Sequence, residues 1–181
     1  MFDLVDYSHE EIIRFIDTGK NARTTREKGQ ALENLACYLI EKIPGVEIYD
    51  VDSMNYHLTE EIDIAVWNDQ ESDGLKSFPI IILIECKNLN GNIPTRDVAY
   101  FITKIRNKGL DFGIIIASNG ITGSQDDSTR AHFEIPLALS EGIRVIIINL
   151  EEILILRNTS DLIRLIKQKV CSLYLKGSIE L

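Results

Sequence analysis

The stretch FPIIILIECKNLNG, residues 78–91, decides how the chain folds. Ile80, Ile81, Ile82, Leu83 and Ile84 form an apolar, largely β-branched run that predicts a core strand over 80–88. That run ends on Glu85 and Lys87, residue types almost never fully buried unless paired. Alternate residues of a strand share a face, so Glu85 and Lys87 point together while Cys86 points with Ile82 and Ile84 into the opposite layer. Such an ending is either a solvated strand terminus with a weak ion pair or a functional site. The flanking segments decide between the two.

On the N-terminal side, VEIYDV (46–51) and EEIDIAVW (60–67) predict strands joined as a hairpin through DSMNYHLT (52–59). Asp63 falls on one face with Glu61, Ala65 and Trp67, and Ile62, Ile64 and Val66 take the other. The polar NDQESDGLKS (68–77) predicts a loop. Antiparallel pairing of 60–67 with 80–88 then brings Asp63 beside Glu85, at a sheet edge or fork. Further upstream, residues 24–45 predict a helix capped by Thr24 or Thr25 and stopped by Pro44-Gly45, with Leu32, Leu35, Ala36, Leu39, Ile40 and Ile43 on its apolar face. A shorter helix over 8–18 has Ser8 as its cap and Gly19 just past its end.

Downstream, residues 94–109 predict a helix capped by Thr95 and ended by Gly109. FGIIIAS (112–118) and RVIIINL (144–150) predict buried strands separated by a helical segment around 130–142, and an amphipathic helix over 160–176 closes the chain. The first three strands suit an antiparallel set, whereas the later strand-helix-strand passages require parallel pairing. The expectation is one mixed-sheet α/β domain over 1–181, with a core of about 24–157 and the helices 8–18 and 160–176 as additions.

Composition narrows the function classes. The 181 residues carry a formal net charge of -9. An acidic chain is not the default ligand of nucleic acid, where phosphate attraction dominates affinity. The charge is uneven, however: nine acids and no Lys or Arg lie between Glu47 and Asp73, and five bases against one acid lie between Lys87 and Lys108. Local field decides what a cleft attracts. No apolar run approaches the ~20 residues of a membrane span, and the acidic start of the chain does not read as a secretory signal. Cys37, Cys86 and Cys171 have no metal-knuckle spacing, so the expectation is a cytoplasmic location without zinc or disulfides. His9, His57 and His132 are scattered without motif spacing.

Asp63 and Glu85 together suit a hard divalent cation such as Mg²⁺, which takes oxygen ligands and is typically held by one or two carboxylates plus substrate phosphate. The backbone carbonyl of Cys86 would add a third oxygen, and Lys87 would orient or help deprotonate a water or stabilise developing charge. Glu33 borders the apolar face of the 24–45 helix, one turn after Gly29, and would support the metal shell. The pattern Gly29-x-x-x-Glu33, Glu61-Ile62-Asp63, Glu85-Cys86-Lys87-Asn88 resembles the PD-(D/E)XK nuclease superfamily, in its restriction-endonuclease-like, Mrr-type branch. The likeness extends over roughly residues 24–157, and Ile62 stands where the family's name has Pro.

The resemblance implies an α-β-β-β-α-β core, a catalytic set of Asp63, Glu85, Lys87 and Glu33, and Mg²⁺-dependent phosphodiester hydrolysis, usually of DNA, with Mn²⁺ as a substitute. Arg26, Arg96, Lys104 and Asn107 are candidate nucleic-acid contacts, the last three on the side of the 95–108 helix opposite its apolar stripe. A homodimer or a separate targeting partner would offset the acidic balance; no membrane partner is expected. Two alternatives stand beside this reading. One is a catalytically silent nucleic-acid- or protein-binding module of the same fold. The other is a nucleotide-binding domain using ASNGITG (117–123) as a phosphate cradle, although a strand-end turn accounts for that segment better.

Overall fold

The computed structural model describes residues 4–54, 61–88, 91–119 and 134–177. Most of the expected hairpin turn, the glycines of ASNGITG, His57 and His132 lie outside them. Five strands, β1 (Val46–Met54), β2 (Glu61–Asn68), β3 (Ile81–Lys87), β4 (Phe112–Ala117) and β5 (Arg144–Asn149), form one sheet in sequential order. β1, β2 and β3 are antiparallel, and β3, β4 and β5 are parallel. This is the expected mixed α/β architecture of the restriction-endonuclease-like fold.

The helices are α1 (His9–Asn21), α2 (Thr25–Ile40), α3 (Thr95–Asn107), α4 (134–140), α5 (Leu150–Leu154) and α6 (Thr159–Lys176). Each sheet face has its own core. Ile64, Val66, Ile82, Ile84 and Cys86 pack with Ile12, Leu32, Leu35 and Leu39 from α1 and α2, and with Leu162 and Ile166 from α6. On the other face Leu83 and Ile115 pack with Val98, Phe101 and Ile105 from α3 and with Ile135 and Ala138 from α4. The alternation read from β3 therefore holds: Cys86 enters the first core while Leu83 enters the second.

Several local expectations change. α1 does not end before Gly19 but runs through it to Asn21, and Gly19 is a contact point rather than a stop: a Cβ there would lie 3.3 Å from Asn88 Nδ2. Thr24 caps α2 through a reciprocal capping box with Glu27. Pro94, not Thr95, occupies the N-cap of α3, with no side-chain cap bond. The loop after β2 is not wholly polar surface, since Leu75 and Phe78 are buried. Asn68 organises it, donating from Nδ2 to the carbonyls of Leu75, Phe78 and Pro79 while its Oδ1 accepts from the Gln70 N–H. Ile80 and Ile81, expected in the core, are exposed at the sheet's end. The last strand stops at Asn149, whose side chain caps the short α5.

Gly113 decides how closely α3 approaches the sheet. A Cβ on it would fall 2.6 Å from Ile105 Cδ1 and 2.7 Å from Phe101 Cζ, both side chains fully buried. Gly113→Val should therefore lower stability by about 1–3 kcal/mol, the usual range for overpacking a filled core. A urea midpoint equal to that of the native chain would show that α3 can retreat freely.

Candidate active site

The β2–β3 ladder runs from Trp67↔Ile81 to Ile64↔Ile84 and then stops. β3 continues through Glu85, Cys86 and Lys87, paired only with β4 at Ile115, Ile116 and Ala117. The sheet forks at this point. The Cys86 N–H donates instead to the Asp63 carboxylate, Cys86 N to Oδ2 2.7 Å. Ile62, expected to face the same way as Ile64, packs against the α3-side core, so the simple alternation of β2 ends where the fork begins.

Glu85 is 3% exposed, and both of its oxygens are engaged. Lys87 Nζ lies 2.7 Å from Oε1, and Lys104 Nζ lies 2.7 Å from Oε2. Lys104 corrects the sequence reading. Expected on the outer side of α3 as a nucleic-acid contact, it is 3% exposed and turned under the helix onto Glu85, with its ammonium 5.0 Å from the Tyr100 ring centroid. Its alkyl stem covers apolar surface while the head meets the one buried carboxylate within reach. Arg26, Arg96 and Asn107 are exposed, as expected of surface contacts.

Glu33 projects from α2 toward the fork. Its carboxyl is raised from 4.5 to about 7, first by burial, then by the charges of Asp52 and Asp63 and a hydrogen bond with Asp52. The Asp63 carboxyl is raised from 3.8 to about 6 by burial and by Glu85, against the opposing Cys86 N–H and the two lysines. Burial works to lower the Lys87 pKa, but Glu85 and Asp63 outweigh it and the group ends raised, a firmly held ammonium. Cys37, next to Glu33 on α2, is pushed up to about 11 by burial and by Glu41, Glu33 and Asp52. Three acidic groups here resist a further negative charge.

Asp52 is the site residue that the sequence did not single out. It lies between the Val51↔Ile64 and Ser53↔Ile62 pairs, so it falls opposite Asp63. Its φ of 55° is in the left-handed region that Asp tolerates better than most residues. A register shift between Ile48 and Asp50 produces this alignment. Only its place in the acidic run 47–73 hinted at a role.

These donors fit a hard divalent cation. Among the described residues no group of three or more His, Cys, Asp or Glu side chains forms a ready-made cage. Mg²⁺ ordinarily does without one, being held by one or two carboxylates, waters and substrate phosphate. Asp63 and Glu33 are held raised by burial first and by neighbouring carboxylates second, so both carboxyls would gain from an added positive charge.

The Mrr catalytic-domain model, described as a restriction endonuclease, matches residues 24–146, more than half of the chain, and the protein belongs to that family. Its function is of the nuclease type, and such enzymes typically use a divalent metal. A search of curated proteins found no match. Among the described residues no helix is long and apolar enough to cross a membrane.

Two predictions follow from the charges. Because Asp63 and Glu33 are raised on folding, the folded chain keeps protons that the unfolded chain releases. Their contribution to stability is therefore greatest below the ordinary values of 3.8 and 4.5, and it is lost as pH climbs through about 6 and about 7. Urea midpoints in EDTA should fall over that interval, and Glu33→Gln should flatten its upper half; an unchanged slope would remove Glu33 from the cluster. Separately, Lys104→Met should cost about 3 kcal/mol, the low end for breaking a buried pair, because Lys87 still holds Glu85. The Glu85→Leu/Lys104→Met double variant should recover most of that loss, and a strictly additive double variant would mean the two groups do not interact.

Proposed function

We propose that the protein is a Mg²⁺-dependent endonuclease that hydrolyses phosphodiester bonds of DNA, carried on a single domain. The observation that carries this reading is the meeting of Asp63, Glu85 and Lys87 at the β2–β3 fork: Asp63 accepts from the Cys86 N–H at 2.7 Å, and Lys87 holds Glu85 at 2.7 Å. Asp63 and Glu85 would hold the cation, with the Cys86 carbonyl as a further oxygen and Glu33 supporting it from α2. When bound, the cation supplies charge neutralisation at the scissile phosphate and a lowered pKa for attacking water.

The chain's own groups do the rest. Lys87, held as an ammonium, donates to a non-bridging phosphate oxygen or to the attacking water, and it steadies the charge that builds on the phosphorane-like transition state. Glu85 is kept in position by Lys104 when Lys87 turns from it toward substrate, so the carboxylate never loses all its partners. Glu33, held up to about 7 by burial first and then by Asp52 and Asp63, must give up its proton before it carries a negative charge toward the cation.

The test is cleavage of supercoiled plasmid, linear duplex, single-stranded DNA and RNA with Mg²⁺, Mn²⁺ or EDTA. Cation-dependent cutting of DNA should fall by roughly 10²–10⁴ in Lys87→Ala, the range for removing one acid-base or charge-stabilising group. Asp63→Ala should abolish it. Equal cutting by native chain and both variants, or cutting in EDTA, would overturn the proposal. Cation affinity, followed by calorimetry, should rise from pH 6 to 8 as Asp63 and Glu33 give up their protons. A flat profile would place the cation elsewhere.

A further inference from the structure

A crevice of about 290 Å³ lies beside the fork, on the α1–α2 side of the sheet. Asn88, Ser118 and Leu150, which line it, each directly follow one of the parallel strands β3, β4 and β5. Ligands of α/β sheets bind outside the carboxyl ends of such strands. Its floor is apolar, built by Phe15, Leu32 and Leu35. Its rim is basic: Lys20 and Lys28 line it, and neither has an ion-pair partner among the described residues. The adjoining chain adds Arg23, while of the nearby acids Glu27 is engaged in the capping box and Asp17 and Glu151 do not line the crevice. In a chain of net charge -9, this corner is locally positive.

The crevice is held open by close contacts. Asn88 Nδ2 donates to the Lys28 carbonyl at 2.7 Å, which pins the end of β3 to the first turns of α2. The absence of a side chain at Gly19 leaves room for the Asn88 amide. α2 also joins the crevice to the site. Lys28, Leu32 and Leu35 recur at helical spacing on the crevice side, and Gly29 and Glu33 lie on the adjoining stripe. Asn88 is the residue directly after Lys87.

We propose that this crevice is a subsite for one unstacked nucleotide of the strand being cut, its base on the Phe15–Leu32–Leu35 floor and its phosphate at Lys20 and Lys28. The choice of nucleic acid rests on the nuclease reading above. An apolar floor with an aromatic side chain suits the face of any base, and stacking of that kind tolerates sequence. The Asn88 carboxamide supplies polar contact at the edge. At about 290 Å³ the space is at the small end for ligand pockets, too small for a base pair and suited to a single base. The enzyme accordingly prefers a substrate whose nucleotide beside the scissile phosphate is unpaired or easily extruded.

The experiment titrates deoxyadenosine 5′-monophosphate into the full chain in EDTA, following methyl NMR signals, with deoxyribose 5-phosphate and inorganic phosphate as controls. The nucleotide should shift the Leu32 and Leu35 methyls and bind at least tenfold more tightly than deoxyribose phosphate. Ser118→Trp should remove the response. If that variant melts early, Lys20→Glu with Lys28→Glu on the helix surfaces makes the same test. For a short single-stranded oligonucleotide, Lys20→Ala and Lys28→Ala should each reduce the salt dependence of log affinity by about 0.7. Equal binding of nucleotide and sugar phosphate, or nucleotide shifts that survive both blocking variants, would overturn the subsite. No cutting enters this measurement. A native chain that cuts DNA but does not bind the nucleotide rejects the subsite alone, whereas a native chain that binds the nucleotide but cuts nothing rejects the nuclease reading.

Discussion

Glu85 sits in the interior with an ammonium group on each of its two oxygens, and much of the molecule is arranged around that constraint. A buried carboxylate is costly unless paired and fully hydrogen-bonded. Lys87 meets Oε1 from the same strand and Lys104 meets Oε2 from α3. The second contact needs α3 close to the sheet, and the closeness comes from Gly113 beneath Phe101 and Ile105. A glycine in β4 thus helps to place a charge at the end of β3.

The fork beside it does the complementary work. Past Ile64↔Ile84 the β2–β3 ladder ends, and the Cys86 N–H would lack a partner if Asp63 did not accept it. A backbone donor that must be satisfied thereby draws a carboxylate toward Glu85. The lysines balance the α3 side of this cluster. On the α2 side Glu33 and Asp63 are raised by burial and by the carboxylates around them. The Glu85 part of the site is therefore neutralised by its two lysines, while the Asp63–Glu33 part has no such ammonium partner among the described contacts.

Much of this was legible in the chain. The apolar run 80–84 ending in Glu85 and Lys87 announces both a core strand and its unusual terminus. Asp63 was legible because strand alternation and hairpin order together place it near Glu85. Asp52 was not, because its position depends on the register shift near Tyr49: in the register of Ile48↔Val66, Val51 would stand opposite Asp63. No residue type marks that shift in advance. Lys104 was misread for a different reason. It was placed opposite the apolar stripe of α3, although counted from Phe101 and Ile105 it falls beside that stripe, where a long side chain can turn either way. Gly19 was read as a helix stop, although its role is to leave room for Asn88.

The sequence by itself determined the order of elements apart from the short α5, the strand that carries the site, and the identity of Asp63, Glu85, Lys87 and Glu33 as its candidates. These depend on periodicity and capping, which are local properties of the chain. Only the tertiary structure decided that the sheet forks, that Lys104 turns inward, that Asp52 joins Glu33, and that a basic-rimmed crevice opens at the ends of the parallel strands. Each of these depends on contacts between segments far apart in the chain. Register, desolvation and the energetic need to pair a buried charge settle them, and none of the three can be read from neighbouring residues alone.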